Sequence, residues 1–411
     1  MLRSLVGETG FMAFRYPEYR LFWLAAAFSN VGMWALIYGR LWLMHDLTKS
    51  PFMVGLTTTA NLLPVLLFSV WGGVIADRVN RLRLVRVTRL MFGLVTLSTG
   101  VLITMNILQP WHILALSITT GMLLAIDIPS RSAMLPTIVP HNHIASAISL
   151  YSLVFGASAI LGPATFAPLI KLWDIQGVFF IISAAYLLTV FMLMLMDAKI
   201  HHPKHRPPSM VKGLLDGLSY LYRHSTIKRI IILGIVMGIF GSSLQSLMPA
   251  LADKVLYGGI NTYSTLLLAG GIGGLFATIS IAILGTHVRP INFYIVSGIS
   301  VGVGLMVLSQ VDWVLGVILI IGTTSAFSTV FQTMGSTLVQ TLSSEEFRGR
   351  VMSVHQFTWG SGALGGILMG TIGEYFGVQT AITVGGITIL LVAILVGFSL
   401  LRQLPNKSDV S

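Results

Sequence analysis

The stretch Gly72-Gly73-Val74-Ile75-Ala76-Asp77-Arg78-Val79-Asn80-Arg81-Leu82-Arg83 sets one acid and three arginines between two long apolar runs. In a chain with only 9% charged residues, such a knot of charge reads as a short aqueous turn between two membrane-crossing helices. Hydrophobic residues make up 55% of the 411, and the mean hydropathy is +0.85. A water-facing surface cannot cover that much apolar material, so the chain is expected in a bilayer.

Outward from this turn, apolar windows recur along the whole length. Crossing about 30 Å of hydrocarbon takes roughly 20 apolar residues as a helix. Twelve such windows are read, with cores at 21–45, 52–76, 84–107, 111–127, 144–170, 176–196, 227–251, 263–285, 290–309, 313–340, 351–372 and 378–401. The runs are solidly apolar rather than alternating, which argues against a β-barrel. The fold class expected is therefore an all-α membrane protein of twelve transmembrane helices.

Basic residues in short loops stay on the cytoplasmic side. With both termini cytoplasmic, Lys49, Lys171 and Lys254 fall outside and Arg40 within a span, and the other 21 of the 25 Lys and Arg residues fall inside. Basic loops facing anionic headgroups account for the net charge of +11, so nucleic acid is not expected as a partner. The first apolar run is a full span without a cleavage-site pattern, so no cleavable signal is read. There are no cysteines, which excludes disulfides and thiol chemistry.

The longest polar break, Asp197 to Ser225, separates six spans from six. Three regions follow: a bundle over 1–196, a cytoplasmic linker over 197–225 and a second bundle over 226–411. A weak repeat links the halves. Ala147-Ile148-Ser149-Leu150 to Gly162-Pro163 aligns with Val351-Met352-Ser353-Val354 to Gly366-Ile367, placing Gly156 on Gly360 and Gly162 on Gly366. Duplicated halves with a site between them near the midplane are a common transporter construction. In the linker, Val211, Leu214, Leu215, Leu218, Leu221 and Tyr222 form an apolar stripe beside Lys212, Asp216 and Arg223, the pattern of an amphipathic helix at the interface. His201, His202 and His205 lie in a His, Lys and Pro stretch without fixed geometry, so no metal is assigned to them.

The chain resembles the major facilitator superfamily along essentially its whole length. That family's loop between its second and third spans reads GxxxDRxGRR, and Gly73, Asp77, Arg78 and Arg81 match it. Asn80 replaces the second glycine and Leu82 the last basic residue. Asn80 is expected to supply the left-handed turn a glycine would otherwise make. The resemblance narrows to the secretion-effector branch, which includes siderophore exporters and macrolide efflux proteins. It is carried by Phe14-Arg15-Tyr16-Pro17-Glu18-Tyr19-Arg20-Leu21-Phe22-Trp23, by Asp127-Ile128-Pro129-Ser130-Arg131, by Gly217-Leu218-Ser219-Tyr220-Leu221-Tyr222-Arg223-His224 and by Phe347-Arg348-Gly349-Arg350-Val351-Met352-Ser353. The resemblance implies two pseudo-symmetric six-helix bundles working by alternating access.

The matched loop is expected to act as a latch. Asp77 ends the second span, where Arg78, Arg81, Arg348, Arg350 and the start of the eleventh helix can surround it. Each exposed ion pair is worth about 1 kcal/mol or less, which is enough to bias a conformational equilibrium. Arg40 is the one basic residue read clearly inside a span. It either faces a wet cavity or gate, or snorkels to the outer interface. The remaining cargo candidates lie on spans that line the cavity in this family: Asn30, Trp34 and Tyr38 on the first, Asn61 on the second, Gln245 on the seventh, Gln332 on the tenth, and His355, Gln356 and Trp359 on the eleventh. Each has helix packing as its alternative role. An aromatic and amide lining suits a large, partly apolar cargo.

Energy coupling is less plainly marked. Asp46, Asp127, Asp253 and Glu374 are all read near span ends, and His355 is the one histidine well inside a span. Proton antiport is implied by the resemblance. The glycine rows Gly362, Gly366, Gly370 and Gly270, Gly271, Gly273, Gly274 are read as close helix contacts rather than ligand sites. No nucleotide loop, nucleophile elbow or zinc-protease motif is present, so an enzyme is not expected and no cofactor is assigned. The expected function is export of a siderophore or drug-like amphiphile across a bacterial inner membrane, by a monomer exchanging cargo for protons. Nutrient uptake, lipid translocation and a non-transporting sensor remain alternatives on the sequence alone.

Overall fold

The computed structural model describes residues 11–197, 210–284 and 289–402, and every regular element among them is a helix. Among the described residues, eleven helices are long and apolar enough to cross a membrane. Helices are what a spanning chain must form, because hydrocarbon offers no partner to a backbone N–H or C=O. The histidines at 201, 202 and 205 lie outside the described residues.

The first four long helices are α1 (Pro17–Thr48), α2 (Pro51–Arg78), α3 (Arg81–Thr104) and α4 (Pro110–Ile138). The charged turn between α2 and α3 is closed differently from the sequence expectation. Asn80 has φ −62° and ψ 112°, so it is extended rather than left-handed. Its Oδ1 accepts the N–H of Arg83 at 3.0 Å, which makes it the N-cap of α3. The position wants a capping oxygen rather than a positive φ. At the other membrane face, α4 opens with Pro110 in its first turn and a reciprocal cap between Gln109 and His112.

The next element, α5 (Ile144–Met194), has 51 residues, too many for one crossing. Its backbone leaves the helical region at Trp173 and again at Asp174, where φ is 54°, so it makes two crossings, over His141–Pro163 and Leu172–Met194. After α6 (Met210–Arg223), one crossing is assembled from α7 (Ser225–Val236) and α8 (Leu244–Ala250) with wide helical turns at Met237–Gly241 and Leu251–Val255. Then come α9 (Gly259–Leu284), α10 (Pro290–Leu308), α11 (Val314–Leu342), α12 (Glu345–His355), α13 (Phe357–Gly360), α14 (Gly362–Phe376) and α15 (Val378–Leu401). The expected eleventh span, 351–372, is thus an interrupted helix. Its breaks coincide with hydroxyls that take carbonyls: Thr358 donates to His355 at 2.7 Å, and Ser361 to Thr358 at 2.7 Å and Ile235 at 3.1 Å.

The chain forms two compact units, one of residues 1–47 and 60–210, the other of 48–59 and 211–411. The division runs through α2, whose first turns pack with the second unit and whose remainder packs with the first.

At one end of the first unit a cluster of Tyr19, Phe22, Leu82, Val85, Met134 and Leu150 forms the apolar core. The aromatic residues around the start of α1 pin it to the beginning of α5 here. Tyr19 Oη donates to the Ala147 carbonyl at 2.8 Å, Trp23 Nε1 to that of Leu150 at 3.1 Å, and Tyr16 Oη pairs with His143 Nδ1 at 2.9 Å. Small residues let helices close elsewhere in this unit. A Cβ on Gly72 would strike the Ala125 carbonyl, and one on Gly162 would meet Trp34 Cβ at 2.6 Å.

In the second unit, Tyr294 stacks on Phe331 at 4.3 Å and its hydroxyl donates to Ile230 at 2.7 Å. The glycine row of α14 packs on the outer turns of α2. A Cβ on Gly370 would lie 2.8 Å from the Pro51 carbonyl, and Gly55 and Gly366 meet backbone to backbone. Gly273 of α9 meets Gly322 of α11 in the same way.

Candidate functional site

The densest polar chemistry lies inside the first unit and centres on Asp127. The sequence reading ends the fourth span at this residue, but α4 continues to Ile138, so Asp127 sits in the helix interior and is completely buried. Two guanidiniums share its carboxylate. Arg89 Nη2 and Arg131 Nε each donate to Oδ2 at 2.7 Å, and Thr88 Oγ1 donates to Oδ1 at 2.9 Å. Arg131 Nη1 reaches Asn30 Oδ1 at 3.3 Å and also bonds the Tyr151 hydroxyl. The cluster thereby joins α3, α4, α1 and α5.

These contacts correct the expectation that Arg40 is the one basic residue inside a span. Arg89 is 1% exposed and Arg131 5% exposed. Spacing carries part of the signal, since Asp127 and Arg131 lie four apart on one helix face. Arg89 carries none, because the sequence does not say which face of α3 meets α4. The α3 partner is fixed by packing: the Arg89 guanidinium lies 5.6 Å from the Phe92 ring and 5.9 Å from that of Tyr186.

Arg40 is 3% exposed and turns into the helices rather than toward the outer interface. Its Nη1 donates to the Leu116 carbonyl at 3.2 Å and to the Thr120 hydroxyl. Of the other first-unit candidates, Asn30 is fully buried against Arg131. Trp34 stacks on Tyr38 at 5.8 Å and meets Phe155 edge-on at 6.2 Å. Asn61 Nδ2 donates to the Ser117 carbonyl at 3.4 Å. In the second unit, Gln245 and His355 are half-buried, while Gln332, Gln356 and Trp359 are exposed.

The latch residues are placed as follows. Gly73 is buried and Arg78 exposed, while the side chain of Asp77 lies outside the described residues. Arg81 Nη1 donates to the Ala133 carbonyl at 3.0 Å. Arg348 Nε donates to Gln340 at 3.0 Å. Arg350 pairs with Asp216 at 3.5 Å and lies over the Phe347 ring at 4.8 Å. The amphipathic helix α6 therefore docks on the 344–350 segment, aided by Tyr220 stacking on Phe347 at 4.9 Å and accepting from Ser344 N at 3.2 Å.

A second set of polar contacts, absent from the sequence reading, surrounds the start of α2. Glu374 Oε2 accepts from Ser50 Oγ at 2.8 Å and from Phe52 N at 3.3 Å, so a carboxylate from α14 caps the positive end of α2. Lys49 pairs with Asp253 at 3.4 Å. Thr58 and Ser246 hydroxyls lie 2.8 Å apart, and Thr59 Oγ1 donates to Ala363 at 2.5 Å. Among the described residues, no group of three or more His, Cys, Asp or Glu side chains is arranged to hold a metal.

The staphyloferrin A transporter of Staphylococcus aureus is 25% identical over 386 residues, covering 93% of this chain and 96% of that protein. The enterobactin exporter EntS of Escherichia coli O127:H6 is 25% identical over 413 residues, with 96% of each covered. Among solved structures, the nucleoside transporter NupG superposes with a TM-score of 0.70 at 13% identity over 95% of this chain and 100% of that one. A bacterial homologue of the human lysosomal transporter Spinster, inward-facing and occupied, gives 0.74 at 13% identity over 97% and 98%. These two establish the major facilitator fold. The profile of the transmembrane secretion effectors matches residues 8–411, so the chain belongs to that family of multi-pass membrane transporters and is not an enzyme.

Proposed function

We propose that the protein exports a siderophore-like small molecule across a bacterial inner membrane, as a monomer with both termini cytoplasmic, in exchange for protons. The observation that carries the cargo class is the end-to-end similarity to the staphyloferrin A transporter and the enterobactin exporter. Residues that meet the cargo in this reading are Trp34, Tyr38 and Asn61 of the first unit and Gln245, Gln332, His355, Gln356 and Trp359 of the second. Alternating access then presents the cargo to either side.

The sharing of Asp127 between Arg89 and Arg131, which ties α3 to α4, supports its assignment as the group through which coupling acts. Among the described residues it is the one acid that is fully buried. A proton on its carboxylate cancels the charge that Arg89 and Arg131 share. Arg131 already holds Asn30 and Tyr151, so it can shift its bonding toward α1 and α5 without being stranded. The Asp77 loop belongs to the same proposal, as a latch whose charges bias the equilibrium between the two access states.

The test is uptake of a labelled carboxylate or catecholate siderophore by inside-out vesicles, with and without an imposed proton gradient. Wild type is expected to accumulate cargo only with the gradient, Asp127→Asn to lose that dependence and Asp77→Asn to slow transport. Gradient-driven accumulation by Asp127→Asn at the wild-type level removes Asp127 from coupling. No accumulation by folded wild type rejects siderophore export itself.

A further inference from the structure

The charges inside the first unit do not balance. Arg40, Arg89 and Arg131 are all at least 95% buried, and among the described residues the one acid that meets any of them is Asp127, which serves Arg89 and Arg131. Arg40 has no carboxylate. One nitrogen donates to uncharged oxygens on α4, while Nε and Nη2 are buried without a hydrogen-bond partner. A guanidinium cannot lose its proton to escape this. Leaving it uncompensated in a low-dielectric interior is strongly unfavourable.

Other unpartnered atoms stand nearby, and all of them are able to donate. Tyr186 on the second crossing of α5 is fully buried, its ring stacked on Phe92 at 5.4 Å, and its hydroxyl has no partner. Its ring lies 5.9 Å from the Arg89 guanidinium, and a Cβ on Gly32 of α1 would lie 3.6 Å from it, so it stands between α1 and α3. Arg89 Nη1 is unpartnered as well, and so is Ser117 Oγ, adjacent to the Leu116 carbonyl that Arg40 bonds. The wall on this side of α1 is apolar: a Cβ on Gly39 would lie 3.1 Å from both the Phe166 and the Phe179 ring. Water would satisfy the donors and leave the charge. An anion satisfies both.

We propose that the interior of the first unit is an anion site, in which Arg40 Nε and Nη2 and the Tyr186 hydroxyl hold one small monovalent anionic group, under the added field of Arg89. The shared chemistry is that of a halide or of a single carboxylate. The first would come from the solution as a resident ion, the second from the cargo. The site is separate from the Asp127 triad and does not depend on the direction of transport.

Thermal unfolding of the purified protein in detergent tests this, comparing a bulky sulfonate salt (Hepes), chloride and citrate at equal ionic strength. The expected result is a saturable rise in the unfolding temperature, on the order of 2 °C or more, with chloride or citrate over the sulfonate. It should be absent in Arg40→Gln and reduced in Tyr186→Phe, which keeps the guanidinium and serves as the second variant if Arg40→Gln misfolds. A response to chloride identifies a resident ion, and a response to citrate alone identifies the carboxylate of the cargo. Identical unfolding of wild type in all three salts, or an undiminished response in Arg40→Gln, overturns the site. Because binding is read without transport, failure here leaves the export reading untouched, and failed export leaves this site standing.

Discussion

The two units bury polar groups by different means. Among the described residues, every buried Asp and Arg belongs to the first unit, whereas the buried polar side chains of the second are all serine or threonine. Those hydroxyls mostly turn back onto their own helices, as Ser243 does to Ile239 and Ser297 to Phe293. In the first unit, charge at Asp127 joins helices in addition to close approach at Gly72 and Gly162. In the second, among the described residues, close approach acts without a buried ion pair, at Gly273 on Gly322, at Gly366 on Gly55 and at Gly302 against Leu390. One half thus carries groups able to respond to ions, and the other carries surfaces able to slide or bend.

The comparison can be broken most forcefully at Asp127. Asp127→Ala leaves two arginines facing each other without an acid, and breaking such a buried pair costs about 3–5 kcal/mol. Denaturant unfolding in mixed micelles is expected to show that loss; a cost under 1 kcal/mol would mean that charge does not hold the first unit together. The counterpart in the second unit is Gly366→Ala. Its new methyl meets the Gly55 carbonyl and Thr59 Oγ1 at 2.5 and 2.9 Å, so the helices must part, at about 1–3 kcal/mol. A neutral result in the same assay would show that this contact is looser than its geometry. The smallest effect is expected for Thr383→Val, which removes the 2.8 Å hydroxyl bond to Ser309 between α15 and the end of α10. Interhelical hydrogen bonds of this sort average about 0.6 kcal/mol in membranes, and a cost as large as that at Asp127 would erase the distinction between the units.

Most of the helices were legible because apolar runs of spanning length have few other fates in a bilayer. The interrupted eleventh span was not, since its breaks depend on hydroxyls of Thr358 and Ser361 choosing carbonyls over solvent. The amphipathic stripe over 211–222 is legible as a helix, yet the stripe does not reveal that Arg350 and Phe347 are what it packs against. At the charged turn, Asn80 stands out in the sequence but acts as a cap, a role decided by one hydrogen bond to Arg83. The site itself was half visible. Arg40 stands out by its surroundings, whereas Asp127 is disguised by an arginine and two prolines nearby, which make the end of α4 look like a loop.

The sequence by itself determined the solvent, the helical class and the approximate crossings, because length and hydropathy are properties of single segments. Only the tertiary structure decided that Arg89 meets Asp127 across 38 residues, that Glu374 caps α2, and that no acid among the described residues meets Arg40. The physical reason is that helical periodicity fixes which residues share a face, and says nothing of which face on another helix lies opposite.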